Sequence, residues 1–261
     1  MRNKLTDELA VCGMNAVLAA GEYHPQTINR LFIREDKFQF FTGICKQLAE
    51  RKRPYKICED EELERICKSV HHQGVVAMIE EPVIEPLSIE DLDLWAGEGK
   101  SGIVLHSVGN DHNLGAIARA AAFFDAAFIV LNEKDTSFNE DLRLTTSAYR
   151  VAEGAMEHLL IRKITNTSAF LKDASKKLLT VGTDTRARSR IGDLKSIVKD
   201  YKKTMKGRPG IALVLGNEET GLPKNVKDQC SHLLRIPGTG NIDSLNVSQA
   251  AALFLHAVFE L

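Results

Sequence analysis

Three short stretches of this 261-residue chain set reactive or ligand-holding residue types at turn-like positions. The first is Asn110–Arg119, NDHNLGAIAR. Asn113 is a residue type that caps helices, and Gly115 lets a second backbone or a ligand come close. Arg119 lies four residues on, so it shares a helical face with Gly115. Its neighbours from Ile117 to Phe124 are apolar or small. An arginine in such surroundings needs an anionic partner or a site opening. The second stretch is Ile211–Pro223, IALVLGNEETGLP. A buried-strand pattern ends at Gly216, and Asn217, Glu218 and Glu219 crowd a turn closed by Gly221. A carboxylate there can orient an arginine or bind a ribose hydroxyl. The third is Ile236–Ala252, IPGTGNIDSLNVSQAAA. Gly238 and Gly240 make a side-chain-poor loop. Ser244 or Asn246 then starts a helix in which 11 of the 15 residues Val247–Leu261 are apolar. Each residue also has a plain structural reading: a salt bridge for Arg119, a capping turn for Glu218, and ordinary caps for Ser244 and Asn246.

The elements that must position these stretches are legible from hydrophobic patterning. After residue 99, strand-like runs occur at Ile103–Val108, Ala127–Leu131, Leu159–Ile164, Leu178–Gly182, Ile211–Leu215 and Leu233–Ile236, mostly separated by helical patterns. Strands joined by helices imply a parallel sheet covered on both faces, and such sheets bind ligands beyond the carboxyl ends of their strands. The loops of all three stretches, Gly109–Gly115, Gly216–Gly221 and Pro237–Asn246, follow such ends. Earlier in the chain, Arg30–Arg34, Tyr55–Cys58 and Val75–Ile79 read as strands, and Phe38–Arg53 and Glu61–Val70 as helices, a small α/β unit. Between the halves, Glu81–Gly99 carries prolines, glycines and acids with little periodicity, and reads as a linker. The expected organisation is a first domain at 1–80, a linker at 81–99 and a second domain at 100–261. The apolar stretch Leu9–Ala20 follows Asp7 and Glu8, which suits a helix start and not a targeting peptide.

Composition narrows the chemistry. The formal net charge is −1. Residues 1–98 hold 12 Lys+Arg against 18 Asp+Glu, and residues 99–261 hold 22 against 17, so an acidic half precedes a basic one. The segment 176–208 carries 11 bases and three acids, a field that attracts polyanions. Its plain reading is a solvated lysine-rich helix at Ile197–Lys206. The five cysteines include no CxxC pair and the histidines no HExxH, so no metal site is expected, and a reducing, cytoplasmic setting is. No apolar run is long enough to span a membrane. Gly97–Gly102 matches GxGxxG, but a strand should precede that fingerprint and a helix follow it, and here the order is wrong.

Taken in order, N-x-G-x-x-x-R, LVLGxExxGL and IPxxGxxxSLNVSxAAA resemble the SpoU/TrmH branch of the SPOUT-class RNA methyltransferases. The resemblance extends to Arg150–Glu157 (RVAEGAME). In the first half, Cys12–Ala19 (CGMNAVLA) and His72–Ala77 (HQGVVA) are similar to the amino-terminal substrate-binding domain of this branch. The resemblance implies a small amino-terminal α/β RNA-binding domain and a carboxyl-terminal parallel-sheet α/β domain tied in a deep trefoil knot. It implies S-adenosylmethionine as cofactor, held at Gly216, Ile236 and Leu245, a homodimer, and methylation of a ribose 2′-hydroxyl in rRNA or tRNA. Arg119 matches the family's catalytic arginine. A guanidinium, which keeps its proton under ordinary conditions, suits holding phosphate and stabilising a developing alkoxide better than removing a proton. Asn113, Glu218, Ser244 and Asn246 match the polar residues that orient arginine and substrate. Asp111 stands where the family usually has Pro. The rival reading is a noncatalytic RNA-binding homologue, which would have no need of that polar set.

Overall fold

The computed structural model describes residues 2–3, 7–108, 110–133, 142–204 and 209–261. Gly109 in the first motif's loop and residues 205–208 of the basic segment lie outside the described residues. The chain divides into two units, one of residues Met1–Val83 with Arg143–His158, the other of Ile84–Leu142 with Leu159–Leu261.

The first unit starts with β1 (Arg2–Asn3) and β2 (Glu8–Cys12), followed by α1 (Met14–Tyr23). Next come β3 (Ile28–Ile33), α2 (Thr42–Glu50), β4 (Tyr55–Ile57), α3 (Asp60–Cys67) and β5 (Val75–Glu80). The sheet order is β1-β2-β5-β3-β4, with β5 antiparallel to both of its neighbours. The apolar stretch expected to start a helix is therefore a strand first. Every residue of β2 is buried, and Gly13, at φ +103°, turns the chain into α1. A fully buried apolar run has no periodicity to separate strand from helix, so pairing with β5 decides it. A later segment completes this unit. The Thr146 hydroxyl donates to the Ala10 carbonyl at 2.7 Å, and the Asn15 amide donates to Glu153 at 3.2 Å. Gly154 sits at φ +93°, where an added Cβ would lie 2.8 Å from that of Ala19.

The second unit comprises β6 (Glu85–Pro86), α4 (Ile89–Gly97), β7 (Gly102–Leu105), α5 (Asp111–Phe123) and β8 (Phe128–Asn132). The chain then gives α6 (Thr146–Ala152) to the first unit and returns with β9 (Leu160–Ile164), α7 (Thr167–Ala174) and β10 (Leu179–Thr183). It ends with β11 (Ser189–Arg190), α8 (Leu194–Thr204), β12 (Ile211–Leu215), α9 (Lys224–Lys227), β13 (His232–Arg235) and α10 (Val247–Phe259). The sheet order is β11-β13-β10-β12-β7-β8-β9-β6, and every pairing in it is parallel. The alternation of strands and helices thus builds the expected parallel sheet.

The segment read as a linker is structured from Ile84 onward. Ser88 and Asp91 form a reciprocal capping box at the start of α4, with bonds of 3.1 and 3.0 Å. Burial works to raise the Asp91 carboxyl, but the Arg162 guanidinium at 2.9 Å and the Ser88 bonds outweigh it and hold it below the usual carboxylate range. Leu92 and Trp95, three residues apart, turn one face of α4 inward, and the Trp95 ring stacks on Phe128 at 3.7 Å. Of the acids that suggested a linker, Glu90, Asp91 and Asp93 lie on this helix.

Candidate active site

The candidate site forms where β7, β12 and β13 end. After β7 the chain passes Ser107, at φ +59°, and reaches the cap of α5. That cap is Asn110 and not Asn113: the Asn110 side-chain oxygen accepts the His112 amide at 2.8 Å. Asn113 is the third residue of the helix and is buried. With its amide not spent on capping, Asn113 reaches two other segments. Its Nδ2 donates to the Glu218 carboxylate, and its Oδ1 accepts from Asn246 Nδ2 at 3.1 Å. The Asn246 Oδ1 caps α10 by accepting the Ser248 amide at 2.9 Å and its hydroxyl at 2.6 Å.

Glu218 is held in place by its neighbour. The Asn217 side-chain oxygen accepts the amides of Glu219 and Thr220 at 2.9 and 3.2 Å, while its Nδ2 donates to the Ser107 carbonyl at 3.0 Å. Asn217 thus pins the turn after β12 to the loop after β7. Sequence reasoning placed it in a crowded turn without giving it this role. The signal was available, since an asparagine opening a turn bonds backbone amides just ahead of it. Gly216 is demanded by packing: a Cβ there would stand 2.5 Å from the Gly221 carbonyl carbon and 2.6 Å from the Leu222 nitrogen.

Three of the five expected catalytic residues, Asn113, Glu218 and Asn246, therefore form one hydrogen-bonded chain across three separate motifs. Arg119 stands exposed on α5, one helical turn beyond buried Gly115. Ser244 is exposed in the loop that leads to α10. Of the expected cofactor residues, Gly216 is buried, Ile236 is half-buried just past β13, and Leu245 is exposed. The loop between β13 and α10 also exposes Ile242 to 78%. Two uncovered aliphatic side chains near parallel-strand ends suit a ligand with an apolar part. Among the described residues no group of three or more His, Cys, Asp or Glu could hold a metal ion. No described helix is long and apolar enough to cross a membrane.

Residues 100–256 match the SpoU rRNA Methylase family, and residues 10–83 match a domain described as RNA 2′-O ribose methyltransferase substrate binding. The chain belongs to the SpoU rRNA methylase family. A putative TrmH family tRNA/rRNA methyltransferase of Bacillus subtilis is 32% identical over 72% of this chain and 70% of its own length. A 23S rRNA (guanosine-2′-O-)-methyltransferase of Bordetella pertussis is 29% identical over 94% of both chains. In fold, the chain is similar to an AdoMet-bound rRNA methyltransferase from Sinorhizobium meliloti, with a TM-score of 0.73 at 22% identity, over 97% of this chain and 87% of that one.

Proposed function

We propose that this protein methylates a ribose 2′-hydroxyl of ribosomal or transfer RNA, with S-adenosylmethionine as methyl donor. The observation that carries the reading is the Asn113–Glu218–Asn246 chain, which ties the three motif loops together at one set of strand ends. When bound, S-adenosylmethionine supplies an activated sulfonium methyl group. Gly216, Ile236 and Leu245 would hold it in loops folded as the family's trefoil knot, and the exposed aliphatic side chains fit its adenine. Glu218, oriented by Asn113, has acceptor capacity left for a ribose hydroxyl. Arg119 holds the neighbouring phosphate with its planar fork and stabilises negative charge that develops on the attacked oxygen. The work of the protein is then alignment and charge stabilisation.

In this reading the second unit performs the transfer and residues 1–80 select the RNA. The protein works as a homodimer in the cytoplasm. Exposed Phe123 on α5 and Leu253 and Phe259 on α10 give two packed helices an uncovered apolar face, which supports the dimer. The deciding experiment incubates the purified chain with isotope-labelled S-adenosylmethionine and total rRNA and tRNA from cells lacking it, then digests the RNA and identifies labelled nucleosides by mass spectrometry. Label on a 2′-O-methyl nucleoside is expected. Tight RNA and cofactor binding without label in any nucleoside would overturn the reading in favour of a noncatalytic homologue.

A further inference from the structure

The first unit contains a cavity of about 370 Å³ on which both of its motif segments converge. Met14 comes from CGMNAVLA, and His72, Gln73 and Gly74 come from HQGVVA. The remaining lining is two cations, Arg34 and Lys37, two carboxylates, Asp60 and Glu64, and the apolar Val70. The backbone here is unusual. Gln73 at φ +56° and Gly74 at φ +82° are consecutive left-handed residues, a conformation that a glutamine rarely adopts and that gathers at functional sites. The turn is locked from several sides. Gln73 Oε1 accepts the first amide of α1, from Met14, at 2.8 Å, and the Arg34 amide donates to the Gly74 carbonyl at 2.8 Å.

His72 is only 4% exposed. Its Nδ1 accepts the Gly74 amide at 3.1 Å, so in the neutral ring the proton sits on Nε2. Nε2 is 3.9 Å from Asp60, beyond hydrogen-bond range. A buried donor is thus presented at the cavity wall. Arg34 is already spent, bonded to Asp36 at 2.6 Å and to Asp60 at 3.0 Å. Lys37 pairs with Asp36 at 3.4 Å, but an ammonium has three donors, so the groups left for a ligand are its remaining N–H bonds, the His72 N–H and the Glu64 carboxylate, beside the apolar surfaces of Met14 and Val70.

We propose that this cavity takes one unstacked nucleobase of the RNA substrate, with guanine the best match. A free phosphate would face Asp60 and Glu64, and a simple cation would face Arg34 and Lys37. A neutral ring with both donors and acceptors on its edges satisfies both signs at once. Lys37 and His72 donate to guanine O6 and N7, and Glu64 accepts from N1–H and the exocyclic amine. Single-stranded RNA is read in this way, by splayed bases bonded along their edges. The proposal rests on the RNA-binding reading of the first unit and assigns the residues that give it selectivity.

The test titrates the full-length protein with each of the four nucleoside 5′-monophosphates and with inorganic phosphate, following backbone amides by NMR. Saturable shifts of the Met14 and Gly74 amides with GMP are expected, weaker ones with the other three nucleotides and none with phosphate. Glu64 is on the surface, so Glu64→Gln should fold normally, and it should weaken GMP about fivefold or more, the lower bound for losing a paired base contact. The same shifts with phosphate alone, equal binding of all four nucleotides, no response at these amides, or unchanged GMP affinity in Glu64→Gln would each overturn the proposal. Titration with S-adenosylmethionine, read at Gly216, separates the two readings. Silence there counts against the methyltransferase assignment and leaves the base pocket standing.

Discussion

Arg119 and Asn113 make opposite kinds of contribution, and substitution separates them. Arg119 is exposed and comes from a helix whose inner face is held by other residues. Arg119→Ala should therefore leave folding and cofactor affinity nearly unchanged while lowering single-turnover methyl transfer by about 10²–10³, the usual effect of losing one electrostatic contact to the transition state. Arg119→Lys should not restore the rate, because an ammonium cannot reproduce the planar two-pronged contact. A wild-type rate in a stable Arg119→Ala protein would remove the arginine from the mechanism. Asn113 is buried and bonded to Glu218 and Asn246. Asn113→Ala leaves both partners short of a bond, so it should cost about 1–3 kcal/mol in urea unfolding as well as activity. Loss of activity at full stability would mean that the asparagine acts on substrate and does not hold the loops.

Among the elements, the segment Arg143–His158 carries a titratable group of its own. Burial raises the Glu157 carboxyl above its ordinary range, against the opposing pull of His24 at 3.4 Å. A raised folded-state value means that the folded protein holds the proton more tightly than the unfolded chain. The contribution of Glu157 to stability is therefore greatest at acid pH and falls as pH rises from the unfolded carboxyl value through the raised one. Glu157→Gln is neutral throughout, so its gain in Tm over the parent should be larger at pH 8 than at pH 4.5. An equal difference at the two pH values would show that the carboxyl is not desolvated as its burial indicates.

At the scale of the molecule, α10 buries Val247, Ala251, Phe254, Leu255 and Val258 yet leaves Leu253 and Phe259 exposed to 45% and 54%. Phe124 on the packed neighbour meets His256 and Phe259 edge-on or tilted, at 5.6 and 6.0 Å. If this face joins two copies, the parent should sediment as a dimer at micromolar concentration. The double variant Leu253→Asp, Phe259→Asp should sediment as a folded monomer, because two carboxylates at an apolar interface meet no partner. A variant that stays dimeric would move the interface elsewhere. Cutting the chain is a poorer way to probe the units. A fragment starting at residue 100 loses Leu92 and Trp95 from the core of the second unit, and it carries Arg143–His158 without the strand that Thr146 bonds.

The sequence by itself determined the parallel α/β architecture, because alternating apolar runs and helical patterns reflect burial on both faces of a sheet. It also determined the three motif loops, because Gly216, Glu218 and Asn246 are residue types with few uses at strand ends and helix starts. Tertiary structure decided what spacing along the chain cannot express. It gave the capping role to Asn110 and released Asn113 to bridge Glu218 and Asn246, which lie 105 and 133 residues away. It turned the expected linker into a helix, since two inward residues, Leu92 and Trp95, outweigh an acidic composition once Phe128 is there to cover them. It also carried Arg143–His158 back to the first unit. Hydrophobic periodicity shows that a segment has a buried face, and only the folded chain supplies the surface that buries it.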